Sequence, residues 1–361
     1  MVRVARVSFR PALPMSLTVF SAVAVFLLAL HAWAAPPGGR GYAIAPDGAL
    51  DIANAPAPLY RDPIHDGAAD PSIVWVESEK AWLMYYTNRR ANVLTAGVSW
   101  AYGTQIGIAK STDGGRNWEY LGVCQGLGRG RQAETFWAPH VFLHDGTFHM
   151  IVTYIPRIGG NGHWGGKGQL AHYTSRDGEN WTDLGFVDVG SDNIIDPAVV
   201  RLDDGRWLLV FRDDNAGVKT ARCVSEDLRT WKRLEGVTGD RAHEGPVIFQ
   251  WRGKYWLLCD EWRGLGVYVS DDGIDYTHHN VILNTPGKRR EDNVNGAHPG
   301  VAVVGDRAFV FYFTHPGRVP GVPAESSPGT STYEHNRSSI QVAELEIIDG
   351  KLTVDRDKHA K

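Results

Sequence analysis

From about residue 60 onward the apolar residues do not recur at helical spacing; they come in short β-branched and aromatic runs, paired across turns. Five such hairpins follow one another at intervals of 49 to 68 residues, each behind a proline. They stand behind Pro71 (ESEKAWLMYYT), Pro139 (HDGTFHMIVTY), Pro197 (DDGRWLLVF), Pro246 (WRGKYWLLCD) and Pro299 (VGDRAFVFYFT). Four units then carry a third strand into a related turn: STDGGRNW, TSRDGENW, VSEDLRTW and VSDDGIDY. The first has the Asp-box form S-x-D-x-G-x-x-W, a turn found in propeller blades. Repeats of roughly 50 to 60 residues, each of four short strands, are what propeller blades look like. The pattern therefore predicts an all-β protein built as a five-bladed β-propeller. SSIQVAELEII reads as a further strand, followed by a turn at Asp349-Gly350 and a short strand, with the blade they join left open.

The prolines also say where the chemistry lies. A proline that opens a strand forfeits no ladder bond, and it biases the residue before it toward an extended backbone. The innermost strand of each blade lines the central channel, so residues at its start are held at the channel mouth. Across the five units these are Asp70, Trp137, Asp196, Glu244 and His298. Three carboxylates, an indole and an imidazole converging on one funnel make a candidate site. Asp113, Asp177, Asp227 and Asp272 sit instead in the repeated turns and read as structural.

Composition narrows the classes. The 361 residues are 43% hydrophobic and 22% charged, as in a globular protein, and a net charge of −4 gives no reason to expect nucleic acid or an anionic membrane as partner. Cys124, Cys223 and Cys259 show no metal-type spacing, and their odd number leaves at least one thiol unpaired within the chain. The N-terminus looks like an export signal: Arg3, Arg6 and Arg10, the apolar SLTVFSAVAVFLLAL, then Ala32-Trp33-Ala34 as a small-x-small cleavage site. The expected organisation is a signal peptide at residues 1–34 and a single propeller catalytic domain at 35–361. A periplasmic or secreted location follows, with no membrane contact once the signal is removed.

The ordered set ADPSI, FWAP, IDPAVV, HEGP and the late His298 resembles the five-bladed glycoside hydrolases of family 43 and the related family 117, over roughly residues 60 to 347. What the resemblance implies is inverting hydrolysis of a glycosidic bond. Asp70 would be the general base, Asp196 the modulator and orienter, and Glu244 the general acid. Such an enzyme needs an ionised carboxylate to activate water behind the anomeric carbon and a protonated one beside the leaving oxygen, roughly 6.5–9.5 Å apart. An anionic Asp196 near Glu244 would help the acid keep its proton. The expected substrates are plant or algal oligosaccharides, arabinofuranosides and β-xylosides first. The alternatives are a family 117-type anhydrogalactosidase with His243 as the acid, and a carbohydrate-binding propeller without turnover. No cofactor is required for the chemistry; the resemblance implies calcium in the central channel, with His298 as the metal contact.

The family's usual WAPD is WAPH here, so His140 stands in place of an aspartate. With Trp137, His243 and Arg212 it is expected to contact the sugar, whose C–H faces pack on flat apolar rings. Trp100, Trp164 and Trp262 lie near loops that would crown the funnel, whereas Trp118, Trp181 and Trp231 belong to blade turns. RIGGNGHWGGKGQ (Arg157 to Gln169) reads as a substrate-contacting loop or as a solvated connection. Arg89 and Arg318 are further candidates to bind hydroxyls. Asp213-Asp214 and Asp260-Glu261, which follow second strands, read mainly as solvated or hydrogen-bonded groups at the pocket's edge.

Overall fold

Hairpin after hairpin, the chain lays down five sheets in sequence order. A short strand β1 (Ala43–Ala45) comes first. Blade I is β2 (Ala68–Val76), β3 (Ala81–Asn88), β4 (Gln105–Ser111) and β5 (Glu119–Val123). Blade II is β6 (Thr135–His144), β7 (Thr147–Ile155), β8 (Gln169–Ser175) and β9 (Trp181–Phe186). Blade III is β10 (Ile194–Arg201), β11 (Trp207–Asp213), β12 (Lys219–Ser225) and β13 (Lys232–Arg233). Blade IV is β14 (Glu244–Trp251), β15 (Lys254–Asp260), β16 (Leu265–Ser270) and β17 (Thr277–Ile282). Blade V is β18 (Ala297–Val304), β19 (Arg307–Thr314), β20 (Ser339–Ile348) and β21 (Lys351–Val354). The computed structural model describes residues 39–359, apart from 94, 132–133, 157–162 and 319–330, so the expected signal peptide lies outside the described residues. The architecture is the five-bladed β-propeller, each blade an antiparallel meander. The strand pair left open in the sequence completes blade V, through a turn in which Asp349 and Gly350 have φ of 51° and 75°.

Why the strands are so uniformly apolar follows from the packing. A blade is covered on both faces by its neighbours, and alternate side chains serve the two joints. In β3, Trp82, Met84 and Tyr86 pack toward blade V, and Leu83 and Tyr85 toward blade II. Four of the blades end their third strand in the same device. Asp113, Asp177, Asp227 and Asp272 each take the hydroxyl of a serine two residues earlier and two backbone amides just downstream onto Oδ1. These are the structural turn aspartates expected from the sequence.

At every inner strand the pairing register slips where the proline lies. The slips fall between Ala69 and Ser72, Trp137 and His140, Ile195 and Ala198, Glu244 and Val247, and Ala297 and Gly300. Each is a β-bulge, with two residues facing one, and a bulge re-aims the side chain it carries. In four of the five the residue before the proline is not extended as expected from proline alone. Asp70, Ala138, Asp196 and Gly245 have φ of 52°, 47°, 60° and 57°. The bulge demands the left-handed region, which Asp tolerates better than most side chains and Gly freely.

The ends of the propeller are joined by the entry segment. β1 pairs parallel with β18, Ala43 opposite Ala302 and Ala45 opposite Val304. Just before it, Arg40 O accepts Arg201 N of blade III at 2.8 Å, and Arg40 itself donates to Gln250 of blade IV. Gly41 lies so close to blade III that a β-carbon there would stand 2.4 Å from Val199 O. The segment thus crosses the axis at the end opposite the channel mouth. It then climbs the joint between blades V and I, where Leu59 N donates to Ile340 O at 2.9 Å.

Candidate active site

Because inner strands start at the mouth and second strands end there, the mouth is built from bulges and from the loops between second and third strands. Asp70 is buried at the first bulge, and Arg89, one residue past β3, donates through Nη2 to both of its oxygens at 3.0 and 3.1 Å. The Arg89 guanidinium lies over the Phe313 ring at 4.8 Å and is thereby fixed from blade V. His298 brings Nδ1 within 3.5 Å of Asp70 Oδ1. Its ring leans on Gly245, where a β-carbon would come within 2.7 Å of His298 Cγ; that close approach and the φ of 57° both call for glycine.

The third bulge carries Asp196. Its amide donates to Thr153 Oγ1 at 2.9 Å, and its Oδ2 accepts Gly245 N at 3.0 Å, so it is tied to the residue next to Glu244. Burial, with the negative charges of Glu244 and Asp70 adding to it and His298 opposing, raises the Asp196 carboxyl to about 6. Glu244 opens β14 and accepts Arg212 Nη1 at 2.7 Å, while Arg212 Nε is held by Asp214 Oδ1 at 2.7 Å. Arg212 is therefore the partner of Glu244 and is aimed by Asp214. Opposite Glu244 on β15 stands Asp260, buried, accepting Trp262 N at 2.7 Å and His298 N at 3.2 Å. Burial and Glu244 raise the Asp260 carboxyl to about 7, against the two amides.

Trp137 stands at the rim, its indole N–H on Ala101 O at 2.6 Å and its ring beside Tyr102 (4.9 Å) and the exposed Trp164 (6.0 Å). Trp262, also exposed, rises from blade IV, whereas Trp100 is buried edge-on to His315 and crowns nothing. His140 and His243 do not sit where a sugar contact was expected. His140 follows the bulge and turns down the channel to the entry segment, its Nε2 2.7 Å from Gly41 O; burial lowers it to about 4. His243 is fully buried, with Nε2 2.7 Å from Thr220 Oγ1 and Nδ1 3.0 Å from Arg241 O. Both rings spend their polar atoms inside the protein. Arg318 donates to His335 O at 3.0 Å. The glycine-rich loop at 157–169 falls partly outside the described residues. Among the described residues no group of three or more His, Cys, Asp or Glu is placed to hold a metal ion, and His298 faces Asp70. The residues present do not assemble the calcium site that the resemblance implies, and the chemistry below uses none.

Sequence reasoning placed Asp70, Asp196 and Glu244 together, and the structure brings Asp70 and Glu244 each within electrostatic reach of Asp196. It missed what Arg89 and Asp260 touch. The available signal was position: both stand where a second strand reaches the mouth, which is readable once the repeat is aligned.

The model of the glycosyl hydrolases family 43 matches residues 60–304. Among solved structures the fold is similar to a family 43 enzyme from Xanthomonas citri complexed with xylotriose, at 16% identity, with 82% of this chain and 92% of that chain covered and a TM-score of 0.59. It is also similar to a β-xylosidase/α-arabinofuranosidase from a compost microbial metagenome, at 15% identity, 82% and 96% covered, TM-score 0.59. A β-1,3-galactosidase bound to galactodeoxynojirimycin matches at 14% identity, 82% and 96% covered, TM-score 0.57. At these identities the likeness is one of fold.

Proposed function

This chain belongs to glycosyl hydrolase family 43, and from that premise we propose that it is exported and hydrolyses plant or algal oligosaccharides with inversion, arabinofuranosides or β-xylosides first. The observation that carries the reading is three carboxylates with three different environments at one channel mouth. Asp70 lies on Arg89, Glu244 on Arg212, and Asp196 is buried within reach of both acids.

In the proposed reaction a water attacks the anomeric carbon from the face opposite the departing sugar and loses its proton to Asp70. Glu244 gives its proton to the glycosidic oxygen as that bond breaks. One water is consumed, and the freed sugar carries the inverted configuration. Arg89 stabilises the charge a base must carry, and the carboxylate keeps lone pairs for the water. Asp196, tied to Gly245 N, holds the acid's strand in place and adds negative charge beside it. Trp137, backed by the buried Tyr102, and the exposed Trp164 supply flat apolar faces for sugar rings. His243 has neither exposure nor a free ring nitrogen to offer a leaving oxygen, which favours Glu244 as the acid.

The test is a panel of arabino-, xylo-, galacto- and agar-derived oligosaccharides given to the purified protein, with released sugar read by chromatography and the first anomer by proton NMR. Pentose released with inversion is expected. Retention overturns the mechanism, and anhydrogalactose as the sole product moves the reading to the family 117 type. For export, the expected N-terminus of the native protein is near Ala35, and a native protein that retains Met1 refutes it.

A further inference from the structure

A bulge leaves the amide of the residue before its proline without a ladder partner. At four of the five blades a side chain from the preceding blade takes it. Ala138 N donates to Thr87 Oγ1 at 2.8 Å, and Asp196 N to Thr153 Oγ1 at 2.9 Å. Thr87 and Thr153 occupy equivalent places, each opposite the residue that precedes the bulge of its own blade, Ala69 and Trp137. The equivalent place in blade IV is opposite Glu244 and holds Asp260, which takes His298 N at 3.2 Å.

A threonine suffices for that duty, and burying a carboxyl costs more than burying a hydroxyl. Its use here calls for a second reason, and its surroundings supply one. Directly opposed residues of an antiparallel pair present their side chains on one face, so Asp260 and Glu244 share a face. The other oxygen of Asp260 fixes Trp262 N at the rim. We propose that Asp260 is a fourth carboxyl of the site, a positioning residue that holds a proton on the acid side of the funnel by standing opposite Glu244 and fixes His298 against the base Asp70.

Two carboxylates directly opposed repel when both are ionised, so the pair retains a proton more firmly than either alone. The groups around the pair are few. Glu244 comes from β14 and His298 from β18; Leu265, opposite on β16, brings no charge; Cys259 and Glu261 flank Asp260 in its own chain. Arg212 and Asp196 face Glu244 from blade III. The rise of the Asp260 carboxyl through burial and Glu244 agrees with this arrangement.

The proposal rests on Glu244 being the acid, and the blades themselves supply the test variant. Asp260→Thr restores the hydroxyl cap that Thr87 and Thr153 provide and removes the carboxyl, together with its bond to Trp262 N. On xylotriose, whose leaving group needs the proton, the basic limb of the kcat/KM profile is expected to move about one pH unit lower. On 4-nitrophenyl β-D-xyloside the move is smaller, because that leaving group departs unprotonated. Independently of any substrate, an acid raised by folding withdraws stability as pH rises from about 4 to about 7, so the Tm of Asp260→Thr relative to wild type should climb over that range. An unmoved limb together with an unchanged Tm–pH slope reduces Asp260 to a cap and overturns the proposal. Glu244→Gln is run beside it. Full activity there removes the acid reading and this proposal with it; loss of xylotriose turnover there, with both the limb and the Tm–pH slope unmoved in Asp260→Thr, sinks the Asp260 role alone. If wild type leaves xylotriose intact, the pentoside reading falls and the Tm–pH comparison decides Asp260.

Discussion

Asp70 and Asp196 share a motif, a bulge and a left-handed backbone, yet their partners differ. Asp70 meets a guanidinium at 3.0 Å, while Asp196 meets a backbone amide and two other carboxylates. The neutral isostere therefore has different effects at the two. Asp70→Asn keeps the shape and removes the base, so turnover on the active substrate of the panel should drop on the order of 10²–10⁴ while binding survives, checked by kinetics and calorimetry. Asp196→Asn acts on stability as well. Burial raises the folded carboxyl to about 6, above its ordinary range, so this group withdraws stability as pH rises from about 4 to about 6. The variant should be more stable by about 1–3 kcal/mol at pH 8 and equal to wild type near pH 3, in urea unfolding at the two pH values. A gain that is the same at both would show that the carboxyl is not strained by burial. Less activity with more stability is the usual exchange at such a site.

At the scale of the element the working unit is the bulged inner strand with its cap from the blade before. The bulge aims the acid, the proline prevents a ladder bond from pulling it back, and the cap fixes the amide. Gly245 is the tightest point of this unit, since a β-carbon there meets the His298 ring and the backbone is left-handed. Gly245→Ala should cost about 1–3 kcal/mol in chemical unfolding and lower kcat, by pushing His298 away from Asp70. A neutral result would mean that the imidazole is free to move and does not position the base. The unit also explains His140: after the bulge the side chains return to register, and the first of them points down the axis, onto Gly41.

At the scale of the molecule, closure is the problem that a ring of blades must solve. The four-stranded meanders of blades I and V are each made from one continuous stretch, and the entry segment closes the ring, its β1 adding a fifth, parallel strand to the sheet of blade V. It pairs with β18 on the axis and buries Ala43 and Ala45 against the V–I core. A protein starting at Asp47 should lose about 2–4 kcal/mol relative to one starting at Gly39, seen as a lower Tm with the same circular dichroism spectrum. Equal melting would mean that the axis needs no plug.

The sequence by itself determined the blades, because hairpin periodicity, turn aspartates and a proline at each inner strand are local signals that repeat. It pointed to Asp70, Asp196 and Glu244 as well, since each lies within two residues of a proline that starts an inner strand. The tertiary structure decided what those acids touch. Arg89 reaches Asp70 across 19 residues, Arg212 reaches Glu244 across 32, and Asp260 reaches His298 across 38, all between neighbouring strands or blades. No local pattern encodes such pairs, because they depend on the slip of each bulge, which shifts every later side chain to a new facing. His140 and His243 show the same limit: adjacent to the right residues in sequence, they are turned by one position into the protein, where hydrogen bonding holds them.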